Sequence, residues 1–185
     1  MSNTGSSTVR PQWRLGRQAR RTVLVVHLVS VGAWIGMDVV LALLVFTAFL
    51  TDDPYTAGLS YQALGLFAVW PLFGAGLVCL ASGVVLGLGT GYGLVRYWWV
   101  AVKLVLNVLL STLVLIALRP TIDLAVVQGR ELMAGERLAA TLGDLIFPPI
   151  VSPLALLIAM LLAVFKPWGR IRAAAPDAAR PPAGR

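Results

Sequence analysis

The chain has 185 residues, 58% of them hydrophobic and 12% charged, with a mean hydropathy of +0.84. An ordinary soluble domain carries about 25% charged residues, so a water-soluble globular fold is excluded. A net charge of +7 would suit nucleic acid, but the basic residues sit at the ends of long apolar blocks, where they set membrane orientation, and no nucleic-acid partner is expected. Cys79 is the single cysteine, which rules out an intramolecular disulfide and a cysteine-based metal cage.

Four apolar blocks predict an all-α, four-helix transmembrane bundle over residues 22–166, with the lipid bilayer as its solvent. Residues 1–21 read as a basic disordered cytoplasmic tail, and the Pro- and Ala-rich residues 167–185 as a second one. Span one, Val23–Leu50, is about 42 Å long as a helix, more than the roughly 30 Å of hydrocarbon it must cross. It carries His27 and Asp38 eleven residues apart, which is about three turns, so the two lie only about 20° apart around the axis. Val31 and Trp34 fill the stripe between them. Gly32 and Gly36 lie on the opposite side and predict a close-packing face.

The acidic turn Thr51-Asp52-Asp53-Pro54 has no lysine or arginine and is placed outside. Span two, Tyr61–Gly89, should kink at Pro71, and its Gly83, Gly87 and Gly91 recur every fourth residue, the spacing that lets helices approach closely in lipid. A glycine turn follows, with Tyr92, Tyr97, Trp98, Trp99 and Arg96 as an interfacial belt. Span three, Trp98–Leu118, carries Lys103, Asn107 and Ser111 at four-residue intervals, a polar stripe that must face inward. Arg119–Gly143 has Ile122, Val126, Met133, Leu138 and Leu142 about one turn apart, which predicts an amphipathic surface helix between spans three and four. Span four, Leu145–Phe165, should be distorted at its start by Pro148, Pro149 and Pro153. Basic residues number twelve on one side and three on the other, so both termini are expected in the cytoplasm, for a multi-pass protein of a bacterial plasma membrane.

Asp38 is the sixteenth residue of a twenty-eight-residue span and so lies near the bilayer centre, where an acid costs roughly 2.5–3.5 kcal/mol. Asn107 or Ser111 on span three are the expected partners. Two roles stand: a proton-handling or ligand-holding group, or a protonated acid that fixes helix packing. His27, the only histidine, lies near the cytoplasmic end at the depth of Lys103, and reads either as a core histidine with one hydrogen bond or as a ligand. No phosphate-cradling loop, HExxH motif or serine-histidine-acid arrangement is present, which excludes hydrolase and kinase chemistry.

His27, Trp34 and Gly36 form H-x6-W-x-G on the first membrane helix, which resembles the copper-resistance D and HemJ-type protoporphyrinogen oxidase group of small membrane proteins. More broadly, the chain resembles integral membrane proteins of high-GC Gram-positive bacteria. The first resemblance implies a haem- or porphyrin-binding redox protein with His27 as the metal ligand, in a pocket between spans one, three and four. Trp34 would wall that pocket, Asp38 close its deeper end, and Lys103 pair a propionate. With a single histidine, the haem would be five-coordinate, shared across a homo-oligomer, or held by His27 with Met160. The alternatives are a non-catalytic subunit bound to a membrane-complex partner and a small proton-linked transporter using Asp38.

Overall fold

The computed structural model describes residues 15–89, 94, 97–136 and 142–165, and the described residues are helical almost throughout, with no strand. The first helix, α1, covers Arg17–Leu50; α2 and α3 cover Pro54–Phe67 and Trp70–Gly89; α4 and α5 cover Trp98–Leu113 and Arg119–Met133; α6 covers Pro148–Phe165. They build four stretches long and apolar enough to cross a bilayer: Arg17–Leu50, Pro54–Gly89, Trp98–Met133 and Gly143–Phe165. Large apolar side chains such as Leu43, Leu66, Val105 and Val164 are turned outward, as lipid rather than water allows.

The buried residues of α1 are Ser30, Trp34, Asp38, Leu41, Val45 and Ala48, a stripe at helical spacing with its polar members towards the N-terminal end. The helix starts at Arg17, so Arg17, Arg20 and Arg21 continue α1 instead of belonging to a disordered tail. The rest of that expected tail, residues 1–14, lies outside the described residues, as does the C-terminal tail. Gly32 and Gly36 are also placed differently from expectation. Both are exposed, with nothing within 4 Å of where a Cβ would stand. The polar stripe itself is the packing face of α1, and the glycines that admit it belong to α3.

Asp53 caps α2: Oδ1 accepts from the Tyr55 amide at 3.3 Å, and Oδ2 from the Thr56 amide at 3.0 Å and its hydroxyl at 2.6 Å. Those donors satisfy otherwise orphaned amides of the first turn. Span two breaks at Ala68–Val69, and α3 restarts with Pro71 in its first turn. Pro71 has no N–H to give Phe67, and its ring presses on that carbonyl, so the break falls where the kink was expected.

Span three continues as a single rod. A π-turn over Val114–Leu118 joins α4 to α5, and Pro120 follows directly. Widening the ladder there accommodates a proline that a straight α-helix would clash with. The amphipathic helix expected after span three is therefore α5, running on from α4 without a separate start. Its Ile122, Ala125, Gln128 and Gly129 are buried, and it packs against α2. A Cβ on Gly58 would stand 2.6 Å from the Gly129 carbonyl oxygen, and one on Gly129 2.8 Å from that of Gly58. The Gln62 amide donates to the Val126 carbonyl across the same seam. Leu138, the fourth member of the expected stripe, lies outside the described residues.

A 3-10 turn, Gly143–Ile146, leads into α6, with Pro149 buried and Pro153 inside the helix, which is the distorted start expected of span four. One apolar core results, with Trp34, Val45, Leu64, Ile122 and Leu145 among its most buried members.

Candidate functional site: a layered polar seam

The polar residues of α1, α3 and α4 meet along one line inside the bundle. Spans one and three are read as running in the same direction and α3 opposite, so residue numbers rise along α1 and α4 as they fall along α3. The first layer holds His27, Ser82, Gly83 and Lys103. His27 Nδ1 lies 3.1 Å from the Cys79 carbonyl oxygen and 3.0 Å from Ser82 Oγ. A carbonyl only accepts, so Nδ1 carries the proton and donates. The Ser82 hydroxyl is itself committed to the Val78 carbonyl at 2.6 Å, which leaves its oxygen able to accept from the same N–H. In the neutral ring the lone pair is then on Nε2. Gly83 makes room, since a Cβ there would stand 3.3 Å from His27 Cε1. Lys103, two turns before Ser111 on α4, has its ammonium 4.7 Å from the Trp99 ring centroid.

The second layer joins Ser30, Cys79 and Asn107. Ser30 donates to the His27 carbonyl at 2.8 Å, and the Ser30 and Asn107 side chains both reach the Cys79 sulfur, which lies 3.9 Å from His27 Nδ1. The third layer is Trp34, Gly76 and Ser111. A Cβ on Gly76 would stand 2.8 Å from both Ser111 Oγ and Trp34 Cζ3, so the indole fills the space where α3 and α4 meet. In the fourth layer Trp34 Nε1 donates to Ser152 Oγ at 3.2 Å, and Ser152 donates to Asp38 Oδ2 at 2.8 Å. Asp38 is 1% exposed, and the Arg119–Asp123 ion pair among the described residues does not involve it. A carboxyl with one hydroxyl donor is held at least cost as the neutral acid.

Of the five residues singled out from the sequence, His27 and Lys103 share a layer. Trp34 and Asp38 form a separate group two and three layers deeper, where Trp34 plugs the interior instead of walling a pocket. Met160 is 47% exposed on the outer side of α6, away from the seam. The expected partners of Asp38, Asn107 and Ser111, are replaced by Ser152, and Asn107 Oδ1 and Ser111 Oγ have no partner among the described residues.

Sequence reasoning missed Ser152, Ser82, Ser30 and the role of Gly76. The signals were present: Ser152 is the one hydroxyl residue of α6, and Gly76, Cys79, Ser82 and Gly83 share a face of α3 whose other residues are mostly large. A lipid-side groove of about 290 Å³ between α3 and α4, lined by Phe73, Leu77, Val108 and Leu115, is apolar except where Ser111 and Thr112 reach it.

The fold and its apolar exterior define a multi-pass α-helical membrane protein. Comparison with protein-family models, curated proteins and solved structures finds no match.

Proposed function

We propose that this membrane protein holds a haem-type cofactor through His27 Nε2, in a bacterial plasma membrane with both termini cytoplasmic. The observation that carries the reading is the bond from His27 Nδ1–H to the Cys79 carbonyl, the arrangement that fixes the tautomer and orientation of a metal-ligating histidine. Lys103, in the same layer, would pair a propionate. Met160 faces outward, so the ligand set is His27 alone or His27 with a residue of a second copy. Bound haem supplies one-electron chemistry, and Ser82 and Cys79 hold the ring that binds it. The test is expression with a haem precursor, purification in detergent, and comparison of wild type with His27→Ala. A Soret band present in the wild type and lost in the variant supports the reading; a colourless wild type, or a band unchanged in His27→Ala, overturns it.

A second reading rests on the Asp38–Ser152–Trp34 group: a proton-handling membrane protein in which Asp38 is the exchanging acid. It predicts proton-coupled solute movement in liposomes that is lost in Asp38→Asn. A role as a non-catalytic subunit follows if neither property is found.

A further inference from the structure

Two buried polar atoms in the seam have no protein hydrogen-bond partner among the described residues: Asn107 Oδ1 and Ser111 Oγ. They belong to residues one turn apart on the same face of α4, whose Cβ atoms are about 5–6 Å apart. One water molecule making two hydrogen bonds of about 2.8 Å at a near-tetrahedral angle bridges polar atoms roughly 4.5 Å apart, a gap within reach of two side chains on that spacing. The requirements also match in kind, since Oδ1 needs a donor and the Ser111 hydroxyl can donate or accept. Leaving both atoms dry forfeits a hydrogen bond at each, so buried groups of this kind are normally completed by ordered water.

We propose that Asn107 and Ser111 together hold a buried water molecule, and that the Trp34 ring is its floor. The neighbours fit this role. Asn107 reaches Cys79 on one side, and Ser111 Oγ and the carbon edge of the Trp34 ring both crowd Gly76 on the other. The polar seam then runs from His27 past Cys79 to Asn107, the water and Ser111. It stops at the indole, and the Asp38–Ser152 pair lies on the dry side. This inference does not depend on whether His27 carries haem.

The test is infrared difference spectroscopy of the full chain in lipid nanodiscs, exchanging ordinary water for water labelled with oxygen-18. A weakly bonded O–H stretch that shifts with the label is expected in the wild type and is lost in both Ser111→Ala and Asn107→Leu. An unshifted spectrum in the wild type, or a band that survives both substitutions, overturns the proposal. Thermal unfolding in detergent gives a second measure. Each single variant should lower Tm by about 2–4 °C, and the double variant by clearly less than the sum, because both lose the same water. Additive losses, or a rise in Tm in Ser111→Ala, would show two independent dry groups and also overturn it.

Discussion

Ser152 hydrogen-bonds Asp38 at 2.8 Å across 114 residues of sequence, and the same hydroxyl oxygen receives the Trp34 indole N–H. One serine therefore ties span four to two residues of span one, a full turn apart. It serves as acceptor and donor at once, which an alanine cannot do.

Ser152→Ala should lower stability by about 1–2 kcal/mol, since a buried carboxyl and a buried indole N–H both lose their partner. Asp38→Asn retains an acceptor for the serine and should cost less than Ser152→Ala. Thermal unfolding in detergent measures both, and the order of the two losses is the point at issue.

The glycines of α1 and α3 should respond oppositely to alanine. Gly76→Ala places a methyl group 2.8 Å from Trp34 and Ser111 and should cost about 1–3 kcal/mol through overpacking. Gly32→Ala meets nothing within 4 Å and should be neutral or slightly stabilising, since alanine is the better helix former. If Gly32→Ala proves the more damaging of the two, the outer face of α1 is in contact with another chain.

The cap on α2 should be sensitive to acid. Hydrogen bonds from the Thr56 hydroxyl and amide, then from the Tyr55 amide, hold the Asp53 carboxyl below its usual value. A depressed carboxyl contributes stability above its unfolded value of about 3.9, and that contribution fades as pH falls through the lower folded value. The melting temperature of wild type should thus drop more between pH 5 and pH 3 than that of Asp53→Asn, which keeps a neutral capping oxygen. Parallel pH curves would remove the carboxylate from the account.

Orientation can be read with the native thiol removed. In a Cys79→Ala background, Thr51→Cys should react with a membrane-impermeant maleimide in intact cells, whereas a cysteine at Ser2 or Ala183 should react only after lysis. The expectation rests on the twelve-to-three bias of basic residues. Labelling of either tail from outside would reverse the assignment.

The spans were legible because apolar length is a direct physical demand of the bilayer. The Pro71 break and the proline-bent start of span four followed from one missing N–H each. The pairing inside was less legible. His27, Trp34 and Asp38 could be placed on one face from the helical period alone, but which helix meets that face depends on side-chain volume. Trp34 needs a glycine opposite it, and Gly76 supplies one; Ser152 of span four, in place of Ser111, then meets both the indole and Asp38. A glycine pattern read without its partner could not separate Gly32 and Gly36, which face outward, from Gly76 and Gly83, which admit a ring.

The π-turn at Val114–Leu118 can be viewed as the trace of a one-residue insertion in the gene. Removing one codon there would restore an ordinary α-helical ladder and rotate everything beyond it by about 100°. Gly129 would swing away from Gly58, and the polar stripe of α4 could no longer share a rod with a helix that seats on α2. The rod thus tolerates substitutions at those five positions far better than changes in their number, and natural variants of this chain should keep the spacing between Ser111 and Gly129 even where the residues between them differ.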